Sequence, residues 1–144
     1  MISSLAQRRT LFATVISAAL LAACAQPQVT TGPVKAVVGT VDFQDRTPLP
    51  SLAVLVVDLQ DTSRADIPSQ VVSQQSIKLE GLQPPFKFTL PVEASKVNPS
   101  SQYVVRARIT NGKDPILVSD TVYPVLTRGA GQTADLMLVR VAPN

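Results

Sequence analysis

From residue 34 onward, short apolar runs rich in Val, Ile and Leu recur between clusters of Pro, Gly, Asn, Asp and Ser. A side-chain period of two with this punctuation predicts β-strands, over residues 34–43, 52–60, 70–80, 85–92, 102–110, 115–123 and 132–141. The alternation is cleanest in the fifth, where Tyr103, Val105, Ala107 and Ile109 share one face and Gln102, Val104, Arg106, Arg108 and Thr110 the other. In the fourth, Phe86, Phe88, Leu90 and Val92 oppose Lys87 and Thr89, and Pro91 removes a ladder donor, which places this strand at an edge. Asn111-Gly112 is the dipeptide that accepts positive φ at both central hairpin positions, so the fifth and sixth strands are predicted to pair antiparallel. Glu93 to Asn98 can form a helical turn, which Pro99 stops. The fold class predicted is all-β: a single small antiparallel β-sandwich of about seven strands over residues 34–144.

The N-terminus reads differently. Arg8-Arg9 is followed by an apolar stretch from Leu11 to Ala23 and then Cys24, the n-region and h-region of a secretory signal. That stretch falls short of the roughly 20 residues a membrane span needs. Leu21-Ala22-Ala23-Cys24 resembles a bacterial lipobox, which makes residues 1–23 a lipoprotein signal peptide and Cys24 the lipidated residue. Residues 24–33 then form a flexible tether, AQPQVTTGP after the cysteine, without hydrophobic period. By similarity to sorted bacterial lipoproteins, Ala25 after the cysteine implies onward transport to the outer membrane, with the protein facing the periplasm.

Charge and composition narrow the functional classes. The thirteen basic residues include Arg8 and Arg9; without them eleven face ten acidic ones, too even a balance for a phosphate-neutralising nucleic-acid surface. The chain has one cysteine and no histidine, so an internal disulfide and the commonest general base and metal ligand are all missing. It contains no S-x-x-K, G-x-S-x-G or H-E-x-x-H motif, and its paired aspartates lack a calcium-loop spacing. No enzymatic activity, metal or cofactor is expected.

Several residues remain as candidates for partner binding. Arg64 stands between Asp61 and Asp66, where it can recognise an anion or, as the favoured reading, pair with those carboxylates. Arg106 and Arg108 leave the same sheet face and can clamp an anionic group, although a solvated face with cross-strand acids is the simpler account. Asp120 shares parity with Ile116, Val118 and Val122 and reads as a buried carboxylate in need of a cation, with Arg106 or Arg108 the nearest choice. In the last strand Met137, Val139 and Val141 oppose Ala134, Leu136 and Leu138. A central strand buries both faces, whereas an edge strand exposes Met137 and Val139 as a binding strip.

Three segments carry a family resemblance: Asp61-Thr62-Ser63-Arg64-Ala65-Asp66, Tyr103 to Thr110, and Thr121 with Tyr123-Pro124-Val125-Leu126-Thr127-Arg128-Gly129. Together with Phe86-Lys87-Phe88 and Asp135-Leu136-Met137-Leu138 they resemble the YbaY family of lipoproteins, over about Val38 to Val141. That family is related to the YscW-type pilotins, which escort secretin subunits to the outer membrane. The resemblance implies a compact β-sandwich and an envelope location, without carrying over a partner. Val92 departs from it, standing where an aromatic residue is expected. The combined reading is a membrane-anchored, non-catalytic binding or chaperone-like module with a possible envelope protein partner; the alternative is a periplasmic small-ligand or lipid-binding lipoprotein.

Overall fold

The computed structural model describes residues 33–45 and 47–142, and Cys24 and the signal sequence lie outside them. Eight strands follow in order: β1 (Val34–Phe43), β2 (Ala53–Asp61), β3 (Gln70–Lys78), β4 (Phe86–Glu93), β5 (Tyr103–Asn111), β6 (Asp114–Ser119), β7 (Tyr123–Val125) and β8 (Thr133–Arg140). A single 3₁₀ turn, Ala94–Lys96, follows β4. The all-β expectation holds. The predicted sixth strand divides into β6 and β7, because the ladder breaks at Asp120 to Val122.

The strands form one sheet in the order β3-β2-β5-β6-β8-β1-β4, with β7 paired to the start of β5 beside β6. Every pairing is antiparallel except β1 with β8, which runs parallel from Val38 opposite Thr133 to Phe43 opposite Leu138. The sheet is therefore mixed and curls into a nearly closed barrel. Its two ends, β3 and β4, lie side by side without a ladder, bridged where the Thr89 N–H donates to Gln75 Oε1 at 2.8 Å. The alternation read from the sequence survives this change of topology, since a barrel, like a sandwich, buries every second residue.

The inward positions make one core: Val37 and Val41 of β1, Leu55, Val57 and Leu59 of β2, Phe86, Phe88 and Leu90 of β4, Val105 and Ile109 of β5, and Leu136 of β8. Each such side chain contributes roughly 1.5–3 kcal/mol by leaving water, against the chain entropy that opposes folding. Phe43 and Phe86 meet at one end with ring centroids 6.4 Å apart. Closure of β1 on β8 depends on Gly39, whose Cα faces the Ala134 carbonyl so closely that no side chain fits between them.

Two local expectations are met, the second through a different turn from the one the dipeptide suggests. Pro91 sits on β4, an end strand, and its nitrogen shares the parity of Thr89, whose N–H points to the seam, so no ladder bond to β1 is lost. The β5–β6 hairpin forms, with Asn111 opposite Asp114. Its central pair is Gly112-Lys113, and positive φ occurs at Gly112 (63°) but not at Asn111 or Lys113, the pattern of a turn with glycine first.

Candidate functional site

The three sequence motifs converge on the end of the barrel where β1 begins, and there they tie loops together. The Asp61 carboxylate accepts the Ser63 N–H at 2.9 Å and the Ser63 hydroxyl, and these bonds hold its pKa below the ordinary carboxylate value. Ser63 Oγ in turn accepts the Gln102 N–H at 2.8 Å, and the Thr62 N–H donates to the Gln102 carbonyl at 2.8 Å. The Thr127 hydroxyl donates to the Ser101 carbonyl at 2.7 Å. Tyr103, buried in the core, accepts the Asn98 N–H at 2.9 Å and donates to the Lys96 carbonyl at 3.2 Å. The motif side chains thus satisfy backbone groups that the loops leave open, a structural use of polar residues.

Arg64 pairs with Asp66 at 3.4 Å, both well exposed, while Asp61 is occupied by Ser63. The pairing expected of Arg64 forms with one of its two candidate carboxylates, and an exposed pair of this kind contributes about 0–1 kcal/mol.

The β5 arginines do share one face, but they have different environments. Arg108 Nη1 meets Asp58 Oδ2 at 2.5 Å, and Gln74 Nε2 donates to Asp58 Oδ1 at 2.6 Å. Asp58 is only 2% exposed although its side chain is on the outer face of β2; Gln74 and Arg108 engage one oxygen each. Arg106 lies directly across from Asp58 in register, yet it is exposed and has no carboxylate within ion-pair distance among the described residues. The predicted buried carboxylate beside an arginine therefore exists, but it is Asp58. Asp120 is exposed and accepts the Thr121 hydroxyl at 3.0 Å, because the face it shares with Ile116, Val118 and Val122 is the outer one: β6 turns Leu117 and Ser119 inward. Asp58 was legible only as an outward position within Val56-Val57-Asp58-Leu59; the β2–β5 register supplies its partner.

β8 lies between β6 and β1, so it is not an edge. Its Ala134, Leu136 and Leu138 are buried while Met137 and Val139 are each 39% exposed. A one-layer barrel explains this combination: a central strand buries only its inner face. Val118 stands opposite Val139, and the Met137 N–H donates to Tyr123 Oη at 2.9 Å, so the outer surface here is a short apolar strip.

The remaining concave features are open grooves on the outside. Asp61, Ser63, Arg64, Ile67, Pro68, Gln70 and Ser101 line one of about 150 Å³. A second, of about 410 Å³, lies at the same end of the barrel beside Asp61, Gln70, Val71, Val72, Lys96 and Tyr103, and a third, of about 220 Å³, lies at the β3–β4 seam beside Val34, Val72, Pro91, Val92 and Lys96. Val92, the departure from the expected aromatic, leaves a small apolar wall there. The axis of the barrel, where a carrier holds its ligand, is filled by Leu55, Val57, Leu59, Leu90 and Val105. Among the described residues no three His, Cys, Asp or Glu side chains gather to hold a metal.

Comparison with known proteins accords with this architecture. The family model described as "Type III secretion system lipoprotein chaperone (YscW)" matches residues 32–138. The uncharacterized lipoprotein YbaY of Escherichia coli (strain K12) is 40% identical over 128 residues, 89% of this chain and 63% of that relative's length. The solved structure of an alternative pilotin from the type II secretion system of Vibrio cholerae is 34% identical, with a TM-score of 0.73 over 77% of this chain and 100% of the pilotin.

Proposed function

The chain belongs to the YscW family of secretion-system lipoprotein chaperones, and on that premise we propose that it is a non-catalytic, lipid-anchored binding or chaperone-like module of the cell envelope. The observation that carries this reading is the structural match to a pilotin across that protein's whole length. Residues 1–23 direct export, Cys24 carries the lipid, residues 24–33 tether, and residues 34–144 form the binding module. Two or three acyl chains hold a protein stably on a bilayer, whereas one holds it marginally. Fully extended, nine tether residues reach about 30 Å, enough to hold the barrel clear of headgroups. With Ala25 after the cysteine, the membrane is the outer one and the barrel faces the periplasm. The partner is an envelope protein, and the near-neutral barrel has no call for nucleic acid.

The test is affinity capture of the full chain from solubilised membranes beside a Cys24→Ala variant. Reproducible recovery of one envelope protein by the wild type, lost or redirected in the variant, supports the proposal. Capture that returns no reproducible envelope protein in either case contradicts it.

A further inference from the structure

We infer that the open half of the β3–β4 seam is a docking slot for an extended polypeptide segment, which adds as a short strand to the free edge of β3 over Gln70–Ser73. This deepens the binding-module reading and rests on it.

A strand edge presents alternating N–H and C=O groups that another backbone matches. β3 is one end of the sheet path and carries no fully buried residue. The two edges facing each other differ in protection. β4 carries Lys87, Pro91 and Glu93, which discourage pairing, whereas Gln70 to Ile77 contains no charge, proline or glycine. Near the closed end of the seam, the Gln75 side-chain amide accepts the Thr89 N–H in place of a strand carbonyl. Towards the other end the ladder between β2 and β3 shifts register: Leu59 faces Ser73 and Gln60 faces Val71, leaving Val72 as the extra residue. A bulge bends its strand and re-aims a side chain, and Val72 lines both the seam groove of about 220 Å³ and the groove of about 410 Å³ at the adjoining barrel end.

These features specify the occupant's chemistry. Its backbone must be extended and free of proline to pair with β3. One apolar side chain fits against Val72, Pro91 and Val92. The rim pair Glu93–Lys96, 3.3 Å apart, presents both signs, so no net charge is demanded of the segment. A helix would leave the β3 edge groups unpaired, which disfavours it at this position.

The experiment selects a displayed library of random peptides of about twelve residues on the full chain in detergent micelles, then maps an enriched peptide by amide chemical shifts. Enriched sequences are expected to be proline-free with one shared apolar position, and to perturb Gln70 to Ser73 and Glu93 to Lys96. Val71→Lys, at a side chain already half exposed, should weaken binding about tenfold by placing charge on the edge. Leu52→Lys, on a loop before β2, should not change it. Peptides with helical three-and-four spacing whose shifts fall on Met137 and Val139 overturn the seam assignment and leave the binding-module reading standing. A library that yields no binder counts against both.

Discussion

Gly39→Ala places a methyl group where the barrel closes. A Cβ built on Gly39 lies 1.7 Å from the Ala134 carbonyl oxygen, 2.7 Å from its carbon and 2.9 Å from Phe88 Cζ. An ordinary carbon–oxygen contact is on the order of 3.3 Å, so β1 and β8 must separate by well over 1 Å at this point. Phe88 could yield by rotating, but the Ala134 carbonyl is backbone in a strand laddered to β1 here and to β6 further along, so relief costs the parallel ladder around Val38 to Val41. Overpacking that side chains absorb costs about 1–3 kcal/mol; with backbone in the way the expected cost is about 3 kcal/mol or more. The reduced freedom of the unfolded chain returns only about 0.4–1 kcal/mol. At about 4–8 °C per kcal/mol for a domain near this size, the midpoint of thermal unfolding should fall by roughly 10–20 °C. Gly112→Ala is the comparison, because a Cβ there meets nothing within 4 Å and only its positive φ is strained; it should cost about 1–2 kcal/mol. Equal midpoints for wild type and Gly39→Ala, by circular dichroism, would refute the close β1–β8 approach and the closure built on it.

Other expectations concern the polar groups. Arg108→Met leaves the buried Asp58 without its cation and should cost about 2–3 kcal/mol, whereas Arg106→Met should stay within about 0.5 kcal/mol; equal effects in urea titrations would contradict the division of roles. The Thr47 hydroxyl bond, followed by the Arg140 bond, lowers the Asp45 pKa from 3.8 to about 2. A carboxylate depressed by folding contributes stability above its unfolded pKa and loses it as pH falls through the folded one. Thermal midpoints should therefore drop between pH 3.8 and about 2, and Asp45→Asn should flatten that stretch of the profile; an unchanged slope counts against the pair. Tyr103→Phe strands the Asn98 N–H and Lys96 carbonyl, which should cost about 1–2 kcal/mol and speed hydrogen exchange at Asn98; unchanged exchange there would show that the tyrosine does not hold the loop.

Much of the strand layout was legible because alternation depends only on local sequence. β1 matches its predicted bounds, and β2, β4, β5 and β8 differ by one residue at each end. Pro91 marked an end strand and Asn111-Gly112 marked a hairpin for reasons that operate within a few residues. Pairing direction is non-local, and the parallel β1–β8 contact that makes a barrel of the sheet left one trace in the sequence, Gly39 in an otherwise β-branched run. The Asp120 reading failed on parity: Ile116, Val118 and Val122 are apolar but lie on the outer face of this segment, while Leu117 and Ser119 face the core. For Met137 and Val139 the prediction offered a buried central strand or an exposed edge, and a single-layer barrel provides a third case. Arg106 and Arg108 were correctly placed on one face, but which of them meets an acid depends on the β2–β5 register.

Intact mass and membrane fractionation of the native protein beside Cys24→Ala test the central claim most directly. The account predicts that the wild type carries acyl mass and sediments with membranes while the variant, with the same barrel, does neither. If both are unmodified and remain in the soluble fraction, the anchor is wrong, and so is the lipid-anchored envelope role that depends on it.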